Sequence, residues 1–346
     1  MVILAFVALA FVLSVWFTHR FSRPGSWFYI LDVPNERSLH DNPKPRGGGV
    51  AMLIAIYAAL ALAVGLFLTE ARQTLVWVGA ACLMVAVVSF LDDRHTMPVA
   101  YRIAAHVAAA FLLFRVGLGL ESVGLPGVEW TLPVAIAGAA SLLYVVWMIN
   151  LYNFMDGMDG LAAGMAVLGF GTYAALGAMA GDVAFALTNA VVAASAGGFL
   201  VFNFPPARIF MGDVGSSALG LSAAAFSLWG VQRGVFSFWL ALLVFLPFMA
   251  DATVTLFRRL LRRERFWEPH RSHYYQRLVR GLGWTHRKAV LWGYVLMAAC
   301  AISALWAKGR DTLDQWSLLG VWAVAYAGLL WWVSYREGRR RSGGHA

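Results

Sequence analysis

Apolar residues run along this chain in long unbroken blocks, not in the short alternations of a soluble fold. A helix needs roughly 20 apolar residues to cross a bilayer core. Eleven segments qualify: 2–18, 48–69, 74–91, 99–118, 132–152, 160–180, 185–203, 214–231, 236–257, 289–307 and 317–335. Several are rich in Ala and Gly, as expected where helices pack closely inside a bundle. No segment recurs at a fixed period, and the longest polar stretch, 258–288, is too short for a soluble domain. The pattern predicts an all-α, polytopic inner-membrane helical bundle of about 11 transmembrane helices, formed by residues 1–346 as one integral membrane domain.

Composition supports this reading. The chain is 60% hydrophobic and 13% charged, with a mean hydropathy of +0.68, far from an average soluble protein. Cys82 and Cys300 both lie inside apolar runs, so they read as small hydrophobes, not as a disulfide or metal framework. The first apolar run lacks a preceding positive residue and a small-residue cleavage site, and is expected to be a retained span, not a signal peptide.

Charge then orients the bundle. With the N-terminus outside and the C-terminus cytoplasmic, all of the 27 Lys and Arg except Arg72, Arg115, Arg233, Lys308 and Arg310 fall on the inner side. That asymmetry obeys the positive-inside rule. It also assigns the net charge of +9 to topology and anionic head groups, and excludes nucleic acid as the partner.

On this map the unusual polar segments share one face. The inner loops 19–47, 92–98, 153–160, 203–213 and 258–288 carry "DVPNERSLHDNPKPRGGG", "DDRH", "NFMDGMDG", "FNFPPARIFMGD" and "PHRSHYYQRL", whereas outer loops such as "GLESVGLPGVEW" carry nothing comparable. Asp156 and Asp159 stand three apart among glycines that let backbone approach a ligand. Helix capping would explain one of these aspartates but not both, and the calcium-loop pattern is absent. Asp92 and Asp93 are adjacent carboxylates that repel unless a cation lies near. Asp213 opens the eighth span among Gly and Ser, where it can cap the helix or hold a hard cation. His270, Arg271, His273 and Arg277 suit phosphate oxygens better than zinc, since no further Cys or His is arranged with them. Carboxylates and basic donors on one membrane face are the equipment of phosphoryl transfer to a lipid. A cation-coupled transporter is the rival class, but its acids would sit near the bilayer midplane and not at span ends.

The motifs "LDD" (91–93), "NLYNFMDGMDGLA" (150–162), "NFPPARIFMGDVGSS" (203–217) and the His-containing loop before the last two spans resemble those of the polyprenyl-phosphate N-acetylhexosamine-1-phosphate transferases. The resemblance covers nearly the whole chain. It implies transfer of an N-acetylated amino-sugar-1-phosphate from a UDP-N-acetylhexosamine to undecaprenyl phosphate, with release of UMP. Mg²⁺ would be the cofactor, with Mn²⁺ as a substitute, and a homodimer is an open assembly. The place would be the bacterial inner membrane, with the site facing the cytoplasm. Carried onto this sequence, Asp213 and Asp156 would hold the metal, Asp92 and Asp93 would meet the lipid phosphate, and Asp159 would face the uridine. Asn150, Asn153, Asn203 and Arg46 would line the donor site, Phe210 would stack on the uracil, and His270, Arg271, His273 and Arg277 would contact diphosphate or sugar. Two departures, His-Arg-Ser-His at 270–273 and Arg94 after the Asp pair, argue against the muramoyl-pentapeptide substrate. The 32–49 and 270–278 segments are most similar to the proteobacterial O-antigen branch, and both a one-step transfer and an aspartyl-phosphate route remain open.

Overall fold

A computed structural model describes residues 2–26, 28–32, 43–95, 97–264 and 271–343. Among these, nine helices are long and apolar enough to cross a membrane. They are α1 (Val2–Phe21), α2 (Gly48–Leu66), α3 (Arg72–His95), α5 (Val134–Phe154), α6 (Leu161–Met179), α7 (Val183–Asn203), α8 (Gly212–Gln232), α12 (His286–Ala307) and α13 (Thr312–Gly343). The other two predicted spans also form helices, but neither is a plain crossing. Helix α4 (Val99–Phe114) has only 16 residues, about 24 Å at 1.5 Å per residue against a core near 30 Å. The segment predicted as 236–257 is two helices, α9 (Phe238–Val244) and α10 (Leu246–Leu261), bent by 83°. Pro247 supplies the cause. It donates no backbone N–H, and its ring crowds the preceding turn, so the first helix stops at Val244.

Helix α8 is the hub. Every residue from Val214 to Gly230 is buried, and α8 packs against α2, α3 and α5. A helix apolar on all sides and enclosed by others is fixed in rotation and height, so its first residue, Gly212, has a defined place at one end of the bundle. Two small sheets close the connections. Strands β1 (Leu31–Asp32) and β2 (Lys44–Pro45) pair antiparallel at the end where α8 begins. Strands β3 (Ser122–Leu125) and β4 (Val128–Thr131) form a hairpin around Pro126–Gly127 at the other end, in a loop the hydropathy pattern leaves featureless. A short helix, α11 (Tyr274–Arg280), lies between α10 and α12.

Candidate active site

The site begins where α2 and α8 start side by side. Phe210 N donates to Pro45 O at 2.7 Å, Gly48 N to Phe210 O at 3.0 Å, and Gly49 N to Met211 O at 2.9 Å. A Cβ on Gly49 would lie 2.5 Å from Gly215 N and 2.6 Å from Met211 O, so only glycine permits this approach. The three glycines at 47–49 thus join the segment bearing Lys44 and Arg46 to the one bearing Phe210 and Asp213.

Arg46 uses that position to bridge two acids. Its Nη1 donates to Asp93 Oδ1 at 3.1 Å and its Nη2 to Asp32 Oδ1 at 2.7 Å. Burial works to lower its pKa, but Asp32, Asp93 and Asp213 outweigh burial and hold it above the ordinary value. The neighbouring Asp92 is used differently. Its Oδ1 accepts from Met97 N at 2.6 Å and its Oδ2 from Arg102 Nη1 at 3.0 Å, which ties the end of α3 to the start of α4. The same Arg102 nitrogen lies 3.7 Å from Asp213 Oδ2.

The turn between α5 and α6 supplies the facing wall. Gly160 has φ +75°, the left-handed region open to glycine. Its N–H donates to Asn203 Oδ1 at 2.9 Å, while Asn203 Nδ2 donates to Ile209 O at 2.9 Å. Asp159 accepts from Ala207 N at 2.9 Å and lies 3.8 Å from Lys44 Nζ. Asn203 and Asp159 therefore lock the turn onto the 204–210 loop, with Lys44 also 5.1 Å above the Phe210 ring. Asn153 donates to Ser216 Oγ at 3.0 Å, on the first turn of α8.

Asp156 differs from all of these. It is half-buried, its backbone N–H donates to Asn153 O at 3.2 Å, and its carboxylate has no hydrogen-bond or ion-pair partner among the described residues. Burial first, then the charges of Asp213 and Asp93, hold its carboxyl well above the ordinary carboxylate range, with Arg46 opposing. An oxygen group under that pressure favours a cation or a proton.

A buried acid that sequence reasoning missed organises the far side. Asp251, in α10, accepts from Tyr274 N at 2.8 Å, Tyr275 N at 2.9 Å and His273 Nδ1 at 3.2 Å. It caps α11 and orients His273, and a lone carboxylate inside an apolar block is the signal that could have found it. Tyr275 OH then donates to Phe154 O at 3.1 Å, bringing α11 against the 153–160 turn. Burial, with Asp251 and Asp156 behind it, pushes this phenol up, so it remains a donor. Lys44, Arg102 and Asp32 are further polar members that only the contacts reveal.

Not every predicted residue joins this cluster. Asn150 donates to Val146 O at 2.7 Å and lies 3.3 Å from His106 Nδ1, so it faces α4 and not the turn. Arg277 donates to Glu337 at 2.7 Å and to Ser334 at 3.2 Å, both on α13. Arg271 lines a separate basic cavity beside it. His270 lies outside the described residues.

A sequence profile described as glycosyl transferase family 4 matches residues 74–231, from α3 through α8. A Bacillus subtilis (strain 168) protein named probable undecaprenyl-phosphate N-acetylglucosaminyl 1-phosphate transferase is 34% identical over 278 residues, 80% of this chain and 76% of its own. The chain belongs to glycosyl transferase family 4. Within this family, the polyprenyl-phosphate N-acetylhexosamine-1-phosphate transferase superfamily, it is also similar to the decaprenyl-phosphate N-acetylglucosaminephosphotransferase of Mycobacterium tuberculosis (strain ATCC 25618 / H37Rv), at 31% identity over 326 residues, 84% of this chain and 79% of that one. The undecaprenyl-phosphate alpha-N-acetylglucosaminyl 1-phosphate transferase of Escherichia coli (strain K12) is 25% identical over 309 residues, 86% of this chain and 82% of its own. The matched profile contains Asp92, Asp93, Asp156, Asp159 and Asp213 but ends before Asp251 and α11.

The donors of this family 4 site suit a magnesium ion shared with substrate. Among the described residues no three His, Cys, Asp or Glu side chains form a metal cage. Mg²⁺ seldom uses such a cage; it keeps waters and takes one or two carboxylates plus substrate phosphates. Asp156, whose carboxylate has no protein partner among the described residues, and Asp213, with a 37% exposed side chain, provide that kind of incomplete oxygen shell.

Proposed function

We propose that this multi-pass membrane protein transfers an N-acetylated amino-sugar-1-phosphate from a UDP-sugar to undecaprenyl phosphate. The products are UMP and a lipid-diphosphate-linked sugar that begins O-antigen or a related envelope polysaccharide. The carrying observation is the meeting of Asp93, Asp156 and Asp213 with Arg46, Arg102 and Lys44 at one end of a membrane bundle. The names of the relatives make UDP-N-acetylglucosamine the first donor to test. The excess of Lys and Arg in the loops at this end supports a cytoplasmic orientation, and we take the membrane to be the bacterial inner membrane.

An oxygen of the acceptor phosphate attacks the sugar-bearing phosphorus of the donor, and the bond from that phosphorus to the bridging oxygen breaks, releasing UMP. The acceptor phosphate has a second pKa of about 6 and is mostly a dianion at neutral pH. It needs no base. Bringing it to an anionic diphosphate is the harder task, and fixed positive charge at the site lowers that barrier. Arg102, held by Asp92 and close to Asp213, and Lys44, over Phe210, are placed to do so. Asp213 and Asp156 would hold Mg²⁺, which when bound would neutralise phosphate oxygens. The turn locked by Asp159 and Asn203 keeps Asp156 at a fixed height opposite α8. An apolar cavity of about 410 Å³, bounded by Met158, Phe248, Trp292 and Trp322, offers room beside the turn for part of an isoprenoid chain.

The test is a panel of UDP-N-acetyl sugars with undecaprenyl phosphate and Mg²⁺, using purified protein. UMP release with at least one donor is expected, and no release with any donor would favour a transport protein. Asp213→Asn should cut turnover by about 10²–10³, the scale of losing one well-placed electrostatic group, while the protein stays folded.

A further inference from the structure

A second cavity, of about 310 Å³, lies between the end of α10, residues 271–272, α11 and the end of α13. That volume is at the lower end of ligand sites, which run from about 300 to 1,000 Å³. Its walls hold Arg258, Arg259, Arg262, Arg271 and Arg277, and no carboxylate of the acidic cluster lines it.

Its charges do not balance. A guanidinium keeps its proton at any physiological pH, and among the described residues two acids answer the five arginines. Glu337 takes Arg277 at 2.7 Å; Glu264 lies 3.1 Å from Arg259 and 4.0 Å from Arg262. Arg258 donates at 2.7 Å to the neutral hydroxyl of Tyr274. Among the described residues the buried Nη2 of Arg271 and Nη1 of Arg277 meet no hydrogen-bond acceptor, and the Arg277 side chain is only 10% exposed. Buried donors are normally satisfied, and a set of unsatisfied guanidinium N–H groups around one cavity selects an oxyanion.

The surroundings say where the oxyanion comes from. Helix α10 turns 83° away from α9, and its inward face carries Asp251, Thr255 and Arg259. Its outward face exposes Phe257, Leu260 and Leu261 at 58%, 53% and 69%. A helix end with buried Thr255 and Arg259 on one side and exposed apolar residues on the other, next to a basic cavity, is suited to the boundary between lipid chains and head groups. Helix α13, which forms the opposite wall, is also mostly exposed along its apolar length.

We infer that this arginine cavity is a phosphate site distinct from the transfer site, filled by the head group of an anionic bilayer phospholipid. The lipid phosphate would accept from Arg258, Arg271 and Arg277 and hold α10, α11 and α13 together, thereby steadying the Asp251 cap behind the active site.

The full-length protein in detergent tests this with three probes: phosphatidylglycerol, inorganic phosphate and UDP. Phosphatidylglycerol should be retained in native mass spectrometry and raise the melting temperature, whereas phosphatidylcholine should do neither. The double variant Arg258→Gln/Arg271→Gln should bind phosphatidylglycerol at least tenfold more weakly, and Asp156→Asn should bind it as the parent does. Displacement of the lipid by inorganic phosphate would support a shared phosphate contact. Full protection by inorganic phosphate with no gain from phosphatidylglycerol would overturn the lipid source. Unchanged lipid binding in the double variant, or loss of UDP binding alone, would overturn the site. Should the double variant not fold, Arg271→Lys and phosphate competition on the parent protein carry the same test. Competition that fails in the parent rejects the proposal.

Discussion

Two acidic pairs face each other across the site, and in each the two members have opposite duties. At the end of α3, Asp92 is consumed by Met97 N and Arg102, while Asp93 meets Arg46 beside the other carboxylates. In the turn before α6, Asp159 is consumed by Ala207 N and Lys44, while the Asp156 carboxylate has no protein partner among the described residues. One acid of each pair fastens a loop, and the other is thereby held in a crowd of negative charge that it would otherwise escape. On the proposed function, a doubled aspartate here is a strut plus a working group, not two equal ligands.

The largest effect should come from Asp156→Asn. Turnover should fall by about 10²–10³, and the melting temperature of the cation-free protein should hold or rise, because a repelling charge is gone. Asp159→Ala should do the reverse. Losing the acceptor for Ala207 N should cost about 1–3 kcal/mol of stability, read by denaturation in detergent, with a smaller change in turnover. If Asp159→Asn, which can still accept from Ala207 N, proves as inactive as Asp156→Asn, the division of duties is wrong.

The α3 pair should repeat the contrast more weakly, since Arg46 already offsets Asp93. Asp93→Asn should lower kcat more than KM rises, whereas Asp92→Ala should chiefly loosen the α3–α4 connection and lower the melting temperature. Equal loss of kcat in both would remove the distinction.

The smallest effect is on pH. A carboxyl whose folded pKa is raised favours the folded state while protonated. Asp156 should therefore subtract stability as pH climbs from its unfolded value, about 3.9, to its raised folded value, with the full penalty above that. A divalent cation opposes the same proton, so Mg²⁺ should raise the melting temperature more at pH 8 than at pH 5.5. A larger gain at the lower pH would count against Asp156 as its ligand.

Much of the architecture was legible in the chain because apolar block length is set by bilayer thickness, a constraint that each segment obeys alone. All eleven blocks form helices, and two depart from a plain crossing: the predicted 99–118 block stops being helical at Phe114, before the left-handed Gly117, and 236–257 is broken at Pro247. The acids at 92–93, 156, 159 and 213, though not Asp251 or Asp32, were legible for a related reason: a carboxylate is costly in an apolar chain and marks a place that needs a polar or cationic partner. Which partner answers it was not legible. Asp156 and Asp159 look alike in sequence, and the backbone N–H of Ala207, 48 residues away, decides which is spent. Asn150 and Arg277 carry the right chemistry but are turned toward α4 and α13.

By itself, then, the sequence determined the helical class, the set of polar segments and the chemical type of the site, because hydropathy and residue chemistry are local properties. The tertiary structure alone decided the division of labour among the acids, the capping role of Asp251 and the separation of the arginine cavity from the carboxylates. Those depend on which hydrogen bonds close over distance, and closure is settled by helix packing around α8 and by the glycine contact between α2 and α8.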